Sequence, residues 1–224
     1  MTVPRGYVPA ASAARENRRA EKGALQYDVY CGRRLFLQGE NKKMSISSEK
    51  MIERKEIMDG NILHVTVDTV RINGTDRTST REVVWHKGAC AIMPVTEDGK
   101  IILVRQYRYA AGTVMLEIPA GKIDRDGESP DCCAARELEE EAGVTGELIS
   151  LGYSYTSPGF CNEKIYFYLA RNLKKGMQHL DEDEFMNIEY YTPQEVEAMI
   201  DADEIIDAKT IACFQKARKY LPGL

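Results

Sequence analysis

Residues 121–144 read GKIDRDGESPDCCAARELEEEAGV. They run from a glycine turn through a loop into an acidic helix and stop at a second glycine. Ser129 has the hydroxyl of an N-cap, Pro130 stands at the first helical position, and Asp131 suits the positive end of the helix dipole. Gly143 supplies the stop. With about 100° of turn per residue, Glu140 lies about 60° to one side of Glu137 and Glu141 about 40° to the other. These three carboxylates share a face. Glu139 points nearly opposite, toward solvent, and Ala135, Leu138 and Ala142 are left to face a sheet. Carboxylates at such spacings repel one another. A hard divalent cation that takes oxygen ligands reverses that cost. The plain alternative is a solvated, charged helix face. Arg136 is expected to pair with an earlier acid such as Glu128.

Around this helix the pattern is that of strands and hairpins. Residues 61–72 alternate, with Ile62, His64, Thr66 and Asp68 opposite Leu63, Val65, Val67 and Val70. Asn73-Gly74 is a hairpin signal leading to a return strand over 81–86. A second hairpin joins 89–95 to 101–107 through Glu97-Asp98-Gly99-Lys100. Further strands are expected over 113–119, 147–155, 164–170 and 185–191. Thr192 caps a helix beginning at Pro193, and a last helix covers 207–220. Strands, helix, strands, then helices predict an α+β fold, a mixed sheet packed between helices as an α/β/α sandwich.

The chain has 224 residues, a net charge of −5 and 43% hydrophobic residues. It can build a real core, and its charge argues against a general nucleic-acid binder. An acidic balance still admits a phosphorylated small molecule, because a cation can bridge the two. No stretch approaches the roughly 18 apolar residues of a membrane span. Cys31, Cys90, Cys132, Cys133, Cys161 and Cys213 show no metal-ligand spacing and read as reduced thiols of a cytoplasmic protein. Residues 1–43 carry no sustained period and are expected to be a disordered leader. Gln38-Gly39-Glu40 can be encoded by a purine run like a bacterial ribosome-binding site, so a second expectation is that the native protein starts at Met44. Residues 44–88 form an N-terminal strand region and 89–224 the main domain.

Gly121, Glu128 and Arg136-Glu137-Leu138-Glu139-Glu140-Glu141-Ala142-Gly143-Val144 resemble the Nudix box, G-x5-E-x7-R-E-U-x-E-E-x-G-U. One departure exists: six residues rather than five separate Gly121 from Glu128. The extra residue is expected to make a local bulge near Arg125-Asp126. Four other stretches are similar to the ADP-ribose pyrophosphatase subgroup: Leu103–Arg108, Leu116-Glu117-Ile118-Pro119-Ala120-Gly121, Tyr155-Thr156-Ser157-Pro158-Gly159-Phe160, and Leu180-Asp181-Glu182-Asp183-Glu184-Phe185. Each has a bland reading as surface charge, turn or acidic loop. Together, and in this order, they strengthen one another.

The resemblance implies a Nudix fold and Mg²⁺-dependent hydrolysis, with Mn²⁺ as a substitute, of the diphosphate in ADP-ribose or a related nucleoside diphosphate sugar. It implies metal ligation by Glu137, Glu140, Glu141, the carbonyl of Ala120, and Glu184. Glu182 or Glu184 would deprotonate the attacking water, with Glu141 at the catalytic metal. Arg108 would make a forked contact to the diphosphate. Glu117, Glu82, His86 and Pro158 are implied as further substrate contacts, and Trp85 could stack on the base. A homodimer with crossed N-terminal strands is implied, without nucleic-acid or membrane partners. The alternatives are another Nudix specificity, a non-catalytic Nudix binding module, and a plain structural helix. If the leader is dispensable, deleting residues 1–43 leaves turnover unchanged; a large loss in a hydrolysis assay would show that it helps build the site.

Overall fold

The computed structural model describes residues 48–180 and 185–223. The leader question, Glu182 and Glu184 therefore lie outside the described residues. The chain runs β1 (Glu49–Asp59), β2 (His64–Ile72), β3 (Thr78–Trp85), β4 (Ala89–Pro94), β5 (Ile101–Arg108), β6 (Thr113–Glu117) and β7 (Ala120–Lys122). It continues with α1 (Pro130–Ala142), β8 (Val144–Tyr155), β9 (Lys164–Lys175), β10 (Met186–Tyr191), α2 (Pro193–Asp201) and α3 (Ala208–Ala217). A short 3-10 turn, Arg218–Tyr220, follows. Strands pair in the orders β1-β2-β3, β10-β5-β6 and β7-β4-β9-β8. The β4–β9 pair is parallel, which makes the last sheet mixed.

Strand β4 shows why the layers form. Its alternate residues Ala91 and Met93 belong to one core, with Phe214, Cys213 and Ala217 of α3 and Val196 of α2. Cys90 and Ile92 belong to the other, with Cys133, Ala134, Leu138 and Ala142 of α1. The period of two along the strand thus sends side chains to helices on both faces. This is the expected α/β/α sandwich. Leu138 is the one large aliphatic side chain that α1 buries. Full burial of such a group contributes roughly 1.5–3 kcal/mol, so this helix depends on its other contacts as well.

The caps of α1 form as read. The Ser129 hydroxyl accepts from the Cys132 amide at 3.2 Å. Gly143 adopts φ 64° and its N–H returns to the Glu139 carbonyl. Thr192 and Glu195 close a reciprocal capping box on α2. The extra residue ahead of Glu128 is absorbed by a turn, in which the Glu128 amide donates to the Arg125 carbonyl at 3.1 Å. Gly127 takes φ +72° there.

Several local expectations differ. Strand β1 has no strand signal in the sequence, because its charged stretch EKMIERKEIMD has no clean alternation. It pairs with β2 through two register shifts, and Arg54 makes a bidentate contact to Asp68 at 2.9 and 2.6 Å. On β2 the buried residues are Thr66, Asp68 and Val70, so polar groups occupy the inward face. The β2–β3 connection is longer than two residues: the Ile72 amide reaches the Arg77 carbonyl at 3.0 Å. On α1, Ala135 is exposed rather than sheet-facing. The buried set Cys133, Ala134, Glu137, Leu138, Glu141 and Ala142 centres about 110° from Ala135 at 100° per residue. Glu139 is half-buried, because the chain after β9 lies against it. Among the described residues, no helix is long and apolar enough to cross a membrane.

Candidate active site

Glycine at 121 opens the site. A Cβ placed there would lie 2.0 Å from both the carboxyl carbon and Oε1 of Glu137. Only a residue without a side chain lets α1 bring Glu137 this close to β7. Next door, the Ala120 amide donates to Glu141 Oε2 at 2.8 Å. Glu137 and Glu141 are both buried, and Glu140 is half-buried beside them.

Arg136 joins the carboxylates into one network. It donates to Glu128 through Nε at 2.9 Å and Nη2 at 3.2 Å. Its Nη1 reaches Glu137 Oε1 at 2.5 Å and Glu140 Oε2 at 2.8 Å. Nη2 also donates to the Lys122 carbonyl at 3.2 Å, tying the helix to the glycine turn. The hydrogen bonds to Glu128 are the main reason the guanidinium is held firmly charged, and Arg136 in turn holds the Glu128 carboxyl below its usual range. The expected Arg136–Glu128 pair is therefore present despite the extra residue between Gly121 and Glu128.

A cavity of about 650 Å³ lies against this wall, within the size range of small-molecule sites. Ala120, Glu137, Glu140, Glu141 and Arg108 all line it, so the structure brings together these sequence-based candidates. Glu82, His86 and Pro158 do not line it, nor does Glu117. Glu117 has no exposed surface and sits behind Arg108, which donates to it at 2.8 and 2.7 Å. Lys209 also donates to Glu117 and lies 3.1 Å from Asp207. Burial is the largest influence on Glu117 and pushes its pKa up. Arg108 and Lys209 together outweigh it, so the carboxyl is held below its ordinary range. The Nε–Nη2 edge of Arg108 is thus spent on Glu117 and is not the edge that would fork onto a ligand.

The remaining candidates have other surroundings. Glu82 is exposed on β3, where its neighbour Arg81 pairs with Glu49. The His86 Nδ1 accepts from the Gly88 amide at 3.0 Å and lies 3.4 Å from Glu163 Oε1. Pro158 is exposed in a turn in which the Phe160 and Cys161 amides return to the Ser157 carbonyl. Trp85 donates to Thr66 at 2.9 Å, and the Arg54 guanidinium covers its ring at 4.4 Å.

Lys209, Asp207, Glu163, Thr156 and His179 also line the cavity and are not among the sequence-based candidates. One signal for Lys209 was available. A lysine in the first turn of a helix stands at the unfavourable end of the dipole, which calls for a compensating anion. Glu117 is that anion.

The donor set suits a hard divalent cation. Glu137, Glu140 and Glu141 offer only oxygen, and the bare Cα of Gly121 leaves room for them at the cavity wall. Among the described residues, no group of three or more His, Cys, Asp or Glu side chains is arranged to hold a metal ion. The carboxylates form an open wall.

Comparison with known proteins agrees with this architecture. The model of the NUDIX domain family matches residues 84–213. The chain belongs to the Nudix family. It is 39% identical over 176 residues to an ADP-ribose pyrophosphatase of Bacillus subtilis, covering 77% of this chain and 94% of that one. It is 41% identical over 171 residues to a methanol dehydrogenase activator of Bacillus methanolicus, covering 75% and 91%. A solved ADP compounds hydrolase superposes with a TM-score of 0.69 at 21% identity, covering 80% of this chain and 97% of that one, which supports the fold.

Gly121→Ala should force the Glu137 carboxylate aside and lower divalent-cation-dependent hydrolysis by about tenfold or more, since misplacement of about 1 Å can cost up to 100-fold. A crystal structure of the variant with Glu137 unmoved, or unchanged activity, would refute this packing argument.

Proposed function

We propose that the chain hydrolyses the diphosphate of ADP-ribose, or of a closely related nucleoside diphosphate sugar, with Mg²⁺ as its cation. The observation that carries this is a single cavity with Glu137, Glu140 and Glu141 on one wall and Arg108 and Lys209 also lining it. Such an arrangement suits a diphosphate whose charge would be met by a cation held on the carboxylates and by the side-chain cations. The 39% identity to an ADP-ribose pyrophosphatase supports the substrate class.

In this reading Glu137, Glu140 and Glu141, with the Ala120 carbonyl, hold the cation. When bound, the cation neutralises phosphate charge and makes a nearby water more acidic. Arg108, oriented by Glu117, turns its remaining N–H groups toward the phosphates, and Lys209 adds a second positive charge. Glu182 or Glu184 takes the proton from the attacking water. Water adds to phosphorus, the bridging oxygen leaves, and the products from ADP-ribose are AMP and ribose 5-phosphate. The thiols described are all free, which supports a reducing, cytoplasmic location.

The test is hydrolysis of ADP-ribose, ADP-sugars, GDP-mannose and NADH, with products identified by mass, for the natural chain and Glu141→Gln. ADP-ribose should be among the best substrates. Glu141→Gln should lose about 100-fold or more, the size expected when one preorganised charge-stabilising group is removed. A folded Glu141→Gln variant with full activity would sink the metal assignment. Preference for another substrate would shift the specificity and leave the reaction class.

We further propose that the protein is a homodimer joined through its N-terminal strands. All 11 residues of β1 are exposed, and Met51, Ile52, Ile57 and Met58 are each about half exposed. An edge strand with apolar groups open to water favours a covering partner. Light scattering should give about twice the 25.3 kDa chain mass, and Ile57→Lys should shift it toward one. A monomer at micromolar concentration would rule the dimer out.

A further inference from the structure

The joint between β6 and β7 is held from a helix near the other end of the chain. Its two residues are Ile118 and Pro119, and the proline has no N–H, so the Ile118 amide is the one main-chain donor of the joint. Ile118 is buried, and its amide donates to the Thr210 hydroxyl on α3 at 3.0 Å. A buried amide without an acceptor is costly. Thr210 has no exposed surface either, and its hydroxyl donates onward to Asp207 Oδ2 at 2.6 Å.

This hydroxyl is more than part of a helix cap. Asp207 caps α3 by accepting from the Thr210 amide at 3.0 Å, a bond made by the main chain. The hydroxyl reaches instead to a joint 92 residues away in the sequence. Beside it, Lys209 donates to Glu117 and lies 3.1 Å from the same Asp207 oxygen. One turn of α3 thus grips two consecutive residues, the Glu117 carboxylate through Lys209 and the Ile118 amide through Thr210. The residues that follow have anchors of their own. The Pro119 carbonyl accepts from the Ile92 amide at 2.9 Å, and the Ala120 amide donates to Glu141. Glu117 ends the β5–β6 pairing, opposite Val104, and its carboxylate accepts from both Nε and Nη2 of Arg108.

We propose that Thr210 is a positioning residue for the hydrolysis. Its hydroxyl fixes the main chain that carries Glu117 and, through Glu117, the aim of Arg108 at the cavity. This rests on the function proposed above, in which Arg108 meets the diphosphate. Thr210 itself does not line the cavity. A forked contact fixes direction as well as distance, so a shift of the Glu117 carboxylate turns the guanidinium with it. The carboxylates of α1 are held separately, by Arg136 and by the Ala120 amide. Loss of the hydroxyl therefore acts on substrate handling and leaves the cation requirement in place.

The test compares Thr210→Val, Thr210→Ser, Arg108→Ala and the Thr210→Val/Arg108→Ala double variant in the full chain. Each is assayed for kcat and KM on ADP-ribose, for the Mg²⁺ concentration at half-maximal rate, and for Tm. Valine keeps the shape of threonine without the hydroxyl, and serine keeps the hydroxyl. Thr210→Val should lower kcat/KM about tenfold, within the range for a misplaced group, while the Mg²⁺ midpoint stays within about twofold. Thr210→Ser should keep kcat/KM within about twofold of the natural chain, because the contact it needs is intact. In the Arg108→Ala background, Thr210→Val should cost no more than about twofold further, since residues that act as one unit are not additive. Unchanged kcat/KM in Thr210→Val overturns the proposal. So does a loss that repeats in full in the Arg108→Ala background, or a Thr210→Ser variant as impaired as Thr210→Val. Should Thr210→Val not fold, Thr210→Ala puts no new methyl group against the Ile118 amide and is read by the same cycle. If Arg108→Ala keeps full kcat/KM, the phosphate contact assigned to Arg108 fails and the role of Thr210 fails with it. If Arg108→Ala loses activity and Thr210→Val does not, only the role of Thr210 is lost.

Discussion

The site depends on one guanidinium placed among carboxylates. Without Arg136, the carboxylates of Glu128, Glu137 and Glu140 would repel one another in a half-buried setting. With it, Glu128 is held by a double contact and Glu137 and Glu140 share Nη1. The same group reaches the Lys122 carbonyl, so the charge network also fixes the glycine turn against the helix. Removing one partner from such a network leaves the others buried and uncompensated, which costs more than the pair contributes while intact.

A second charge cluster lines the same cavity on different elements. Glu117 has no exposed surface, yet it is kept ionised by Arg108 and Lys209. A buried carboxylate with two cationic partners is an orienting device: the anion lies behind and the cations line the cavity. The two clusters thus place negative groups on α1 and positive groups from β5 and α3 around one space.

Much of this was legible in residues 121–144. The caps at Ser129 and Gly143, the shared face of Glu137, Glu140 and Glu141, and the Arg136–Glu128 pair all follow from spacing along one helix. Such local relations depend on helical geometry and on short chain separations. The hairpin strands were legible for a similar reason, since a period of two is local. Strand β1 was not, because its charged residues stay exposed and it is held by cross-strand contacts such as Arg54–Asp68. The outward placement expected for Glu139 failed because a distant segment, 176–179, lies against it.

By itself, then, the sequence determined the acidic helix, its capping, its family resemblance and the order of strands and helices. These are set by steric and electrostatic rules acting within a few residues. Tertiary structure alone decided that Lys209 meets Glu117, 92 residues away, and that Glu117 lies behind the cavity wall. It also decided that Gly121 is needed to admit the Glu137 carboxylate. Those outcomes depend on how β6, β7, α1 and α3 close around one another. Close packing between distant elements has no short-range signature in a chain read residue by residue.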